Sequence, residues 1–426
     1  MNVLKDYCLN ITDGEHGTVV DTVDGEYYLL SNKNIVNGNI KITETDRKIS
    51  KETYDKLNKR TNLKIGCVLI ATVGTIGKSM VISKNPNYTV QRSIGIITPN
   101  DKLLDPYFLK YYLDSPIMKK RIEYATKGAV QKCLFIEDLK NLEVDIPSLN
   151  EQKRIVSVLK TIDDKIMLNK SICLDLESMV ELLYDYWFIQ FDFPDENGQP
   201  YKISGGKMVW NDELKREIPE GWEVKELHKC IDTIIDRRGV TPKKLGADWV
   251  DNGIIALSAK VVKNGHLLDL ANANRVSKEL YDKWMPQKLM NGDILMTSEA
   301  PLGEFYYMYN EPDYCLSQRL FAIRANESVS SLYLYYELSR GNGISQINGK
   351  SSGSTVSGIR QDELRKVKIA IPNIKIMQVF HKKAIFFVTK CHELDKESQE
   401  LVSLRDFLLP MLMNGQIKIE DIKCSI

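Results

Sequence analysis

The chain reads twice, and that duplication limits what it can fold into more than any other feature. "GCVLIATVG" (Gly66–Gly74) resembles "GDILMTSEA" (Gly292–Ala300). Gln91-Arg92 matches Gln318-Arg319, and "PYFLKYYL" from Pro106 matches "LYLYYEL" from Leu332. The stretch ending at Pro147 matches the one ending at Pro372. The order is shared, and the offset stays between 225 and 227 residues. Self-similarity at a fixed period marks a duplicated structural unit, so the 426 residues hold two copies of one unit.

Each copy has a mixed part and a helical part. "GCVLIA" and "GDILMT" are short apolar runs opened by Gly, the pattern of buried strands. "DPYFLKYYLDS" reads as a helix with Pro in its first turn. After Pro147, Ser148 and Glu151 have capping-box spacing. Ile155, Leu159, Ile162, Ile166, Asn169, Cys173, Leu176, Val180 and Leu183 then recur at alternating steps of four and three. That is a heptad seam, on a helix of about 55–60 Å. The second copy opens at Asn373, with Phe380, Ala384, Phe387, Cys391, Leu394, Ser398, Leu401 and Leu408 on its seam. Arg405 interrupts it, and Asn414-Gly415 is the stop signal. A stripe this long needs a partner, so the two helices are expected to pack together, antiparallel, with Asn169 available to set register. The alternative is that each folds onto its own domain.

Composition narrows the class. Lys plus Arg is 58 and Asp plus Glu is 57, for a net charge of +1. DNA binding is then possible only where basic residues gather on one face. The eight cysteines contain no Cys-x-x-Cys pair and the five histidines no His-Glu-x-x-His, so neither a zinc site nor a disulfide framework is expected. Unpaired thiols suit a reducing cytoplasm. "MNVLKDYCLN" has no apolar core of a secretory leader, and no run approaches the roughly 18 apolar residues of a membrane span.

Three motifs invite chemistry, and each has a plainer reading. "GTIGKS" ends like a phosphate-binding loop, but the first Gly belongs at position 72, which is Thr72. The repeat keeps Gly303 and puts Glu304 where the first copy has Lys78. A turn between strands is expected instead. "DPYF" (Asp105–Phe108) approaches the Asp-Pro-Pro-Tyr motif of amino-methyltransferases, but it lacks the second Pro and sits at a helix start. "FPDENG" (Phe193–Gly198) lacks the first and last ligands of a calcium loop. No nucleophile–base pair or carboxylate pair stands at a diagnostic spacing.

Several segments together resemble one family, the DNA-specificity subunit of type I restriction–modification systems. They are "ITDGEHGTV" (Ile11–Val19), "IPSLNEQKRI", "YDYWFIQFDFP" (Tyr184–Pro194), "IPEGWEVKEL" (Ile218–Leu227), "IIDRRGVTP" (Ile234–Pro242), "LIATVGTIGK" and "LPMLMNGQI" (Leu409–Ile417). Two departures are visible. The first half lacks a Gly-Trp opening, and the second helix opening has Met377 near the place of Glu151. The resemblance implies an α+β chain: two mixed α/β target-recognition domains joined by two long antiparallel coiled-coil helices, an internal pseudo-twofold repeat. Its parts would be residues 1–147, first recognition domain; 148–190, central spacer helix; 191–217, linker; 218–372, second recognition domain; 373–417, C-terminal spacer helix; and 418–426, tail.

The resemblance further implies a subunit without catalysis of its own. Each domain would read one half of a split double-stranded DNA target, and the helices would dock two methyltransferase subunits. S-adenosylmethionine, ATP and Mg would belong to partner subunits, among them the translocase–nuclease subunits of restriction. A self-sufficient adenine methyltransferase is the alternative, carried by "DPYF" alone. Base readout uses Arg, Lys, Gln and Asn, which selects Gln91 and Arg92 with Gln318 and Arg319. Two polar loops, "TKGAVQK" (Lys127, Gln131, Lys132) and "GKSSGST" (Lys350, Ser354), suit close approach to phosphate. Lys78, His16, Arg237, Arg238, Lys243 and Lys244 complete the candidates. Against this, a repeated Gln-Arg also suits a structural hydrogen-bonding pair, since residues that set specificity ought to differ between the halves.

Overall fold

The computed structural model describes residues 2–36, 38–127, 132–353 and 357–417. The chain divides into two compact units, Met1–Leu168 with the chain from Ser398 on, and Asn169–Glu397.

In the first unit, β1 (Cys8–Asp13), β2 (Val68–Ala71), β3 (Ser79–Val81) and β4 (Ile94–Pro99) form an antiparallel sheet ordered β1-β4-β2-β3. In the second, β5 (Ile231–Asp236), β6 (Ile294–Ser298), β7 (Leu302–Tyr307) and β8 (Leu320–Ala325) are ordered β5-β8-β6-β7. The registers coincide as well. Val68 lies opposite Ile97 and Val81, and Ile294 opposite Ile323 and Tyr307. Both outer pairs shift register at the same place, between Cys8 and Asn10 and between Ile231 and Thr233. A one-residue slip would turn every side chain to the other face, so a shared register means a shared core. Every residue of β2, β4 and β6 is buried, as expected of strands covered on both faces.

The covering layers also match. A three-stranded sheet holds Tyr27–Leu30 between antiparallel Arg47–Ile49 and parallel Tyr88–Val90. Its counterpart holds Ile254–Leu257 between Arg275–Val276 and Cys315–Leu316. One buried pair differs in chemistry. Cys67 Sγ lies 3.5 Å from Thr98 Oγ1, whereas the same positions in the second unit hold Asp293 and Arg324, 2.7 Å apart. Either arrangement satisfies both partners, and changing one alone would leave the other stranded.

The helix Pro106–Asp114 packs on the sheet, and the Asp105 carboxylate accepts from the N–H groups of Tyr107 and Phe108. Asp105 is therefore a helix cap, which explains "DPYF" without a methyl-transfer site.

Two long helices follow the domains, α1 (Leu149–Tyr184) and α2 (Ile374–Met413). The α1 helix runs on as a π-helical turn, Asp185–Ile189. Buried Gln152 ties its first turn to the domain: its carbonyl accepts from Asp105 N, and its amide donates to Leu103 O and Pro147 O. In the first unit, Ile155 and Leu159 share one apolar cluster with Phe108, Leu109, Leu409 and Leu412, and Ile162 is buried beside them in sequence. Arg405, the break in the seam, donates to Asp163 at 3.0 Å, and Tyr111 donates to the other Asp163 oxygen at 2.6 Å. The seam ends differently from the heptad count. Leu408 is only partly buried, while Leu409 and Leu412 are buried, because the domain core, rather than a strict 3.5-residue repeat, selects the face.

In the second unit, Cys173, Cys391 and Leu394 form a small cluster with Leu176 against it. Asn169 donates to Glu397 at 2.7 Å. Val180, Tyr184, Phe380 and Ala384 lie in the domain core, with Leu183 and Phe387 packed against it. Ile166 and Leu401 are half-buried. Within each unit, then, the helices pack on one another and on the domain.

The segment 191–217 is not a linker. Phe191 and Phe193 are buried, Phe193 stacks on Tyr201 and Trp222, and Met208–Asn211 pairs with Arg216–Pro219. The turn at Asp195 is as the sequence suggests, with its carboxylate accepting from Asn197 N and Gln199 N. The aromatic residues before it give the segment a core to join, which turn chemistry alone does not reveal.

Candidate nucleic-acid interface

The strand order β1-β4-β2-β3 is antiparallel throughout, so β1 and β2 end where β3 and β4 begin. The segment after β1, the β2–β3 turn and the segment before β4 meet there, with Cys133 and Leu134 against them. Glu15 N donates to Val90 O at 2.8 Å and Arg92 N to Glu15 O at 3.0 Å. Gly14 lies so close that an added Cβ would fall 2.1 Å from Val90 O. Thr72 N donates to Ser93 O, and Leu134 N to Thr72 O. Cys133 bridges both Val73 and Lys127.

This end therefore gathers His16, Lys78, Gln91, Arg92, Lys127 and Lys132. Among the described residues, the side chains of Lys78, Gln91, Arg92 and Lys132 make no hydrogen bond or ion pair, and all but Gln91 are exposed. Lys127 is tied to Asp138 at 2.8 Å, and His16 to Asp13 at 2.6 Å. Arg60, which sequence reasoning did not select, donates to Gly14 O and lies 3.7 Å from Asp13. It sits on the helix Lys51–Thr61, and only the tertiary fold brings it here.

The "GTIGKS" stretch is the β2–β3 turn. Gly74 and Gly77 have φ of 72° and 86°, which favours glycine. The N–H groups of Gly77 and Lys78 already donate to Ala71 O and Thr75 O. They are not presented to a phosphate, and a strand follows instead of the helix such a loop requires.

The second unit repeats the arrangement with several of its polar side chains engaged. The Arg238 guanidinium donates to both Asp236 oxygens, from Nε at 2.9 and 3.1 Å and from a terminal amino group at 2.7 Å, and lies over the Phe321 ring. Lys244 donates to Gly239 O and Gln318 to Val240 O. Arg319 Nε lies 3.2 Å from Glu299 Oε1. Arg237 is half-buried at the β5 exit, Lys243 is exposed in the next turn, and Lys350 follows the helix Asn342–Gly349. Glu304, opposite Lys78 in the repeat, accepts from Asn264 N at 2.7 Å; it ties down a neighbouring hairpin. Gln131 and Ser354 lie outside the described residues.

The two Gln-Arg dipeptides are not equivalent. Gln91 N donates to Leu30 O, and it is Ser317 N that donates to the matching Leu257 O. Ser93 O accepts from Thr72 N, and it is Arg319 O that accepts from the matching Ser298 N. The strands on either side are in step, so Arg319 takes the place of Ser93, and Gln318 that of Arg92. The inference from repetition to a structural role therefore lapses: similar letters hide different chemistry at equivalent backbone positions.

Among the described residues, no group of three or more His, Cys, Asp or Glu is arranged to hold a metal, and no helix is long and apolar enough to cross a membrane. What each sheet end offers is donors on a rigid platform. Lysine contacts phosphate, and Arg, Gln and Asn read base edges.

Comparison with known proteins gives a consistent result. The model of the type I restriction modification DNA specificity domain matches residues 17–178 and 219–403. The chain is 28% identical over 389 residues to the type I restriction enzyme MjaIX specificity subunit of Methanocaldococcus jannaschii, covering 90% of this chain and 84% of that protein. It is 24% identical over 388 residues to the HindI specificity subunit of Haemophilus influenzae, covering 78% and 82%. In fold it is similar to the type I restriction–modification S subunit from M. genitalium, with a TM-score of 0.57 at 16% identity over 96% of this chain and 95% of that one.

Proposed function

The chain belongs to the family of type I restriction–modification DNA specificity domains, and on that premise we propose how it reads DNA. It is the specificity subunit of such a system and has no catalysis of its own. The domain within residues 1–147 reads one half of a split double-stranded target, and the domain within 218–372 reads the other. The observation that carries this reading is the duplicated sheet end, where the same backbone presents different side chains in the two units. One backbone with two chemistries is what an asymmetric two-part target calls for.

The α1 and α2 helices act as an antiparallel coiled-coil spacer that gives the chain a pseudo-twofold axis. A spacer of about 55 Å exceeds one DNA turn of about 34–36 Å. It carries two methyltransferase subunits that modify adenine at N6, and through them the translocase–nuclease subunits. S-adenosylmethionine, ATP and Mg act in those partners, in the cytoplasm. A near-neutral reader suits such a complex, because partner subunits supply part of the phosphate contact.

The test is to sequence the methylome of cells carrying the cognate methyltransferase with and without this chain. A split methylated motif is expected only with it. The same motif surviving its deletion contradicts the reading.

A further inference from the structure

The second sheet end carries an ion pair that the first does not. Glu299 follows β6 directly, and its counterpart after β2 is Val73. Arg319 precedes β8, and its counterpart is Ser93, whose hydroxyl is turned inward to accept from Asn32 N. On one backbone, then, Val and Ser are replaced by Glu and Arg. We propose that Arg319, oriented by Glu299, reads a guanine in the half-site of the second domain. The proposal rests on the DNA-reading function above.

Three observations support it. First, the pair is half open: the Arg319 side chain is 52% exposed and that of Glu299 40%, so both reach solvent at the end of the sheet. Second, the ion pair is closest at Nε of Arg319, 3.2 Å from Glu299 Oε1, and the two terminal amino groups make no hydrogen bond among the described residues. A guanidinium braced at Nε presents those groups as a fork, and guanine offers two acceptors, O6 and N7, that match it. Third, Arg319 stands in the left-handed region, with φ of 63°. Such a conformation persists where the surroundings over-determine it, and here Arg319 O is fixed by Ser298 N at 2.9 Å.

Glu299 also decides between a base and a phosphate. A phosphate meeting Arg319 would come within a few ångströms of the Glu299 carboxylate, and like charges at that range repel. A base edge brings no such charge. Glu299 is the positioning residue, and Arg319 makes the contact. Arg92, on the first sheet end, has no such brace among the described residues, which suits a less oriented contact.

The experiment uses the complete methyltransferase complex and duplexes carrying its methylated motif, with each base pair changed singly. Arg319→Lys keeps the charge and loses the fork. Discrimination is expected to fall about ten- to a hundredfold at one G·C pair of one half-site, with the other half-site read as before. Glu299→Gln is expected to weaken discrimination at that same pair, and by less. Full discrimination at every position in Arg319→Lys overturns the proposal. So does a uniform loss with the salt slope reduced by about one, which marks a phosphate contact, and so does a half-site with no G·C pair. Retained reading of the other half-site shows that the variant complex is assembled. A wild-type complex that reads no split motif instead removes the function on which the proposal rests.

Discussion

Replacing Phe380 with Ala is expected to lower the unfolding free energy of the second unit by about 3–5 kcal/mol. Phe380 is fully buried where α2, α1 and the domain share one core. Its ring meets Phe188 edge-on at 5.0 Å and lies 6.1–6.2 Å from Tyr184, Trp187 and Tyr336. Truncation removes the transfer energy of the ring and leaves a cavity among large, stiff neighbours that collapse poorly. Phe386, six residues on and largely exposed, is the control, because Phe386→Ala is expected to cost less than about 0.5 kcal/mol. Denaturant unfolding measures both. Equal effects would mean that the α2 face is not set as described.

The second large effect is a pH dependence centred on Glu337. It is 4% exposed, and burial pushes its carboxyl up to about 7, against the opposing influences of the Tyr184 hydroxyl, Arg216 and the Asn342 N–H. The folded-state value is thus raised above the unfolded value of about 4.3. The stabilisation is complete below that unfolded value and is lost as pH rises through about 7. Wild type is therefore expected to lose about 3 kcal/mol relative to Glu337→Gln between pH 4 and pH 8. Unfolding both proteins across that range, with other titrations cancelling in the difference, checks it. A pH-independent difference would show that Glu337 does not change charge on this scale.

The duplication was legible because buried strands leave little freedom. The runs at Val68–Ala71 and Ile294–Ser298 are buried at every position and mostly apolar, so both copies kept recognisable letters. The long helices were legible for the same reason, through their seams. The sheet ends were harder. Gln91-Arg92 and Gln318-Arg319 match as letters, yet the three-residue turns that hold them place Arg319 on Ser93. Only strand register settles that, and an exposed turn has no periodic signal to carry it. Arg60 is invisible in sequence because its partner, Gly14 O, lies 46 residues away. The folding of 191–217 was missed because Asp195 and Gly198 announce a turn more loudly than Phe191 and Phe193 announce a core.

The central claim is that each sheet end reads its own half of the target. Lys78→Ala, Gln91→Ala and Arg92→Ala combined in one chain disarm the first end, using exposed or half-exposed side chains that hold nothing else among the described residues. Methylome sequencing with this variant in the complete methyltransferase complex is the direct measurement. The prediction is relaxed or lost recognition in one half of the motif, the half that Arg319→Lys leaves intact, with the other half and the spacing unchanged. An unchanged motif, or both halves relaxed together, contradicts the account.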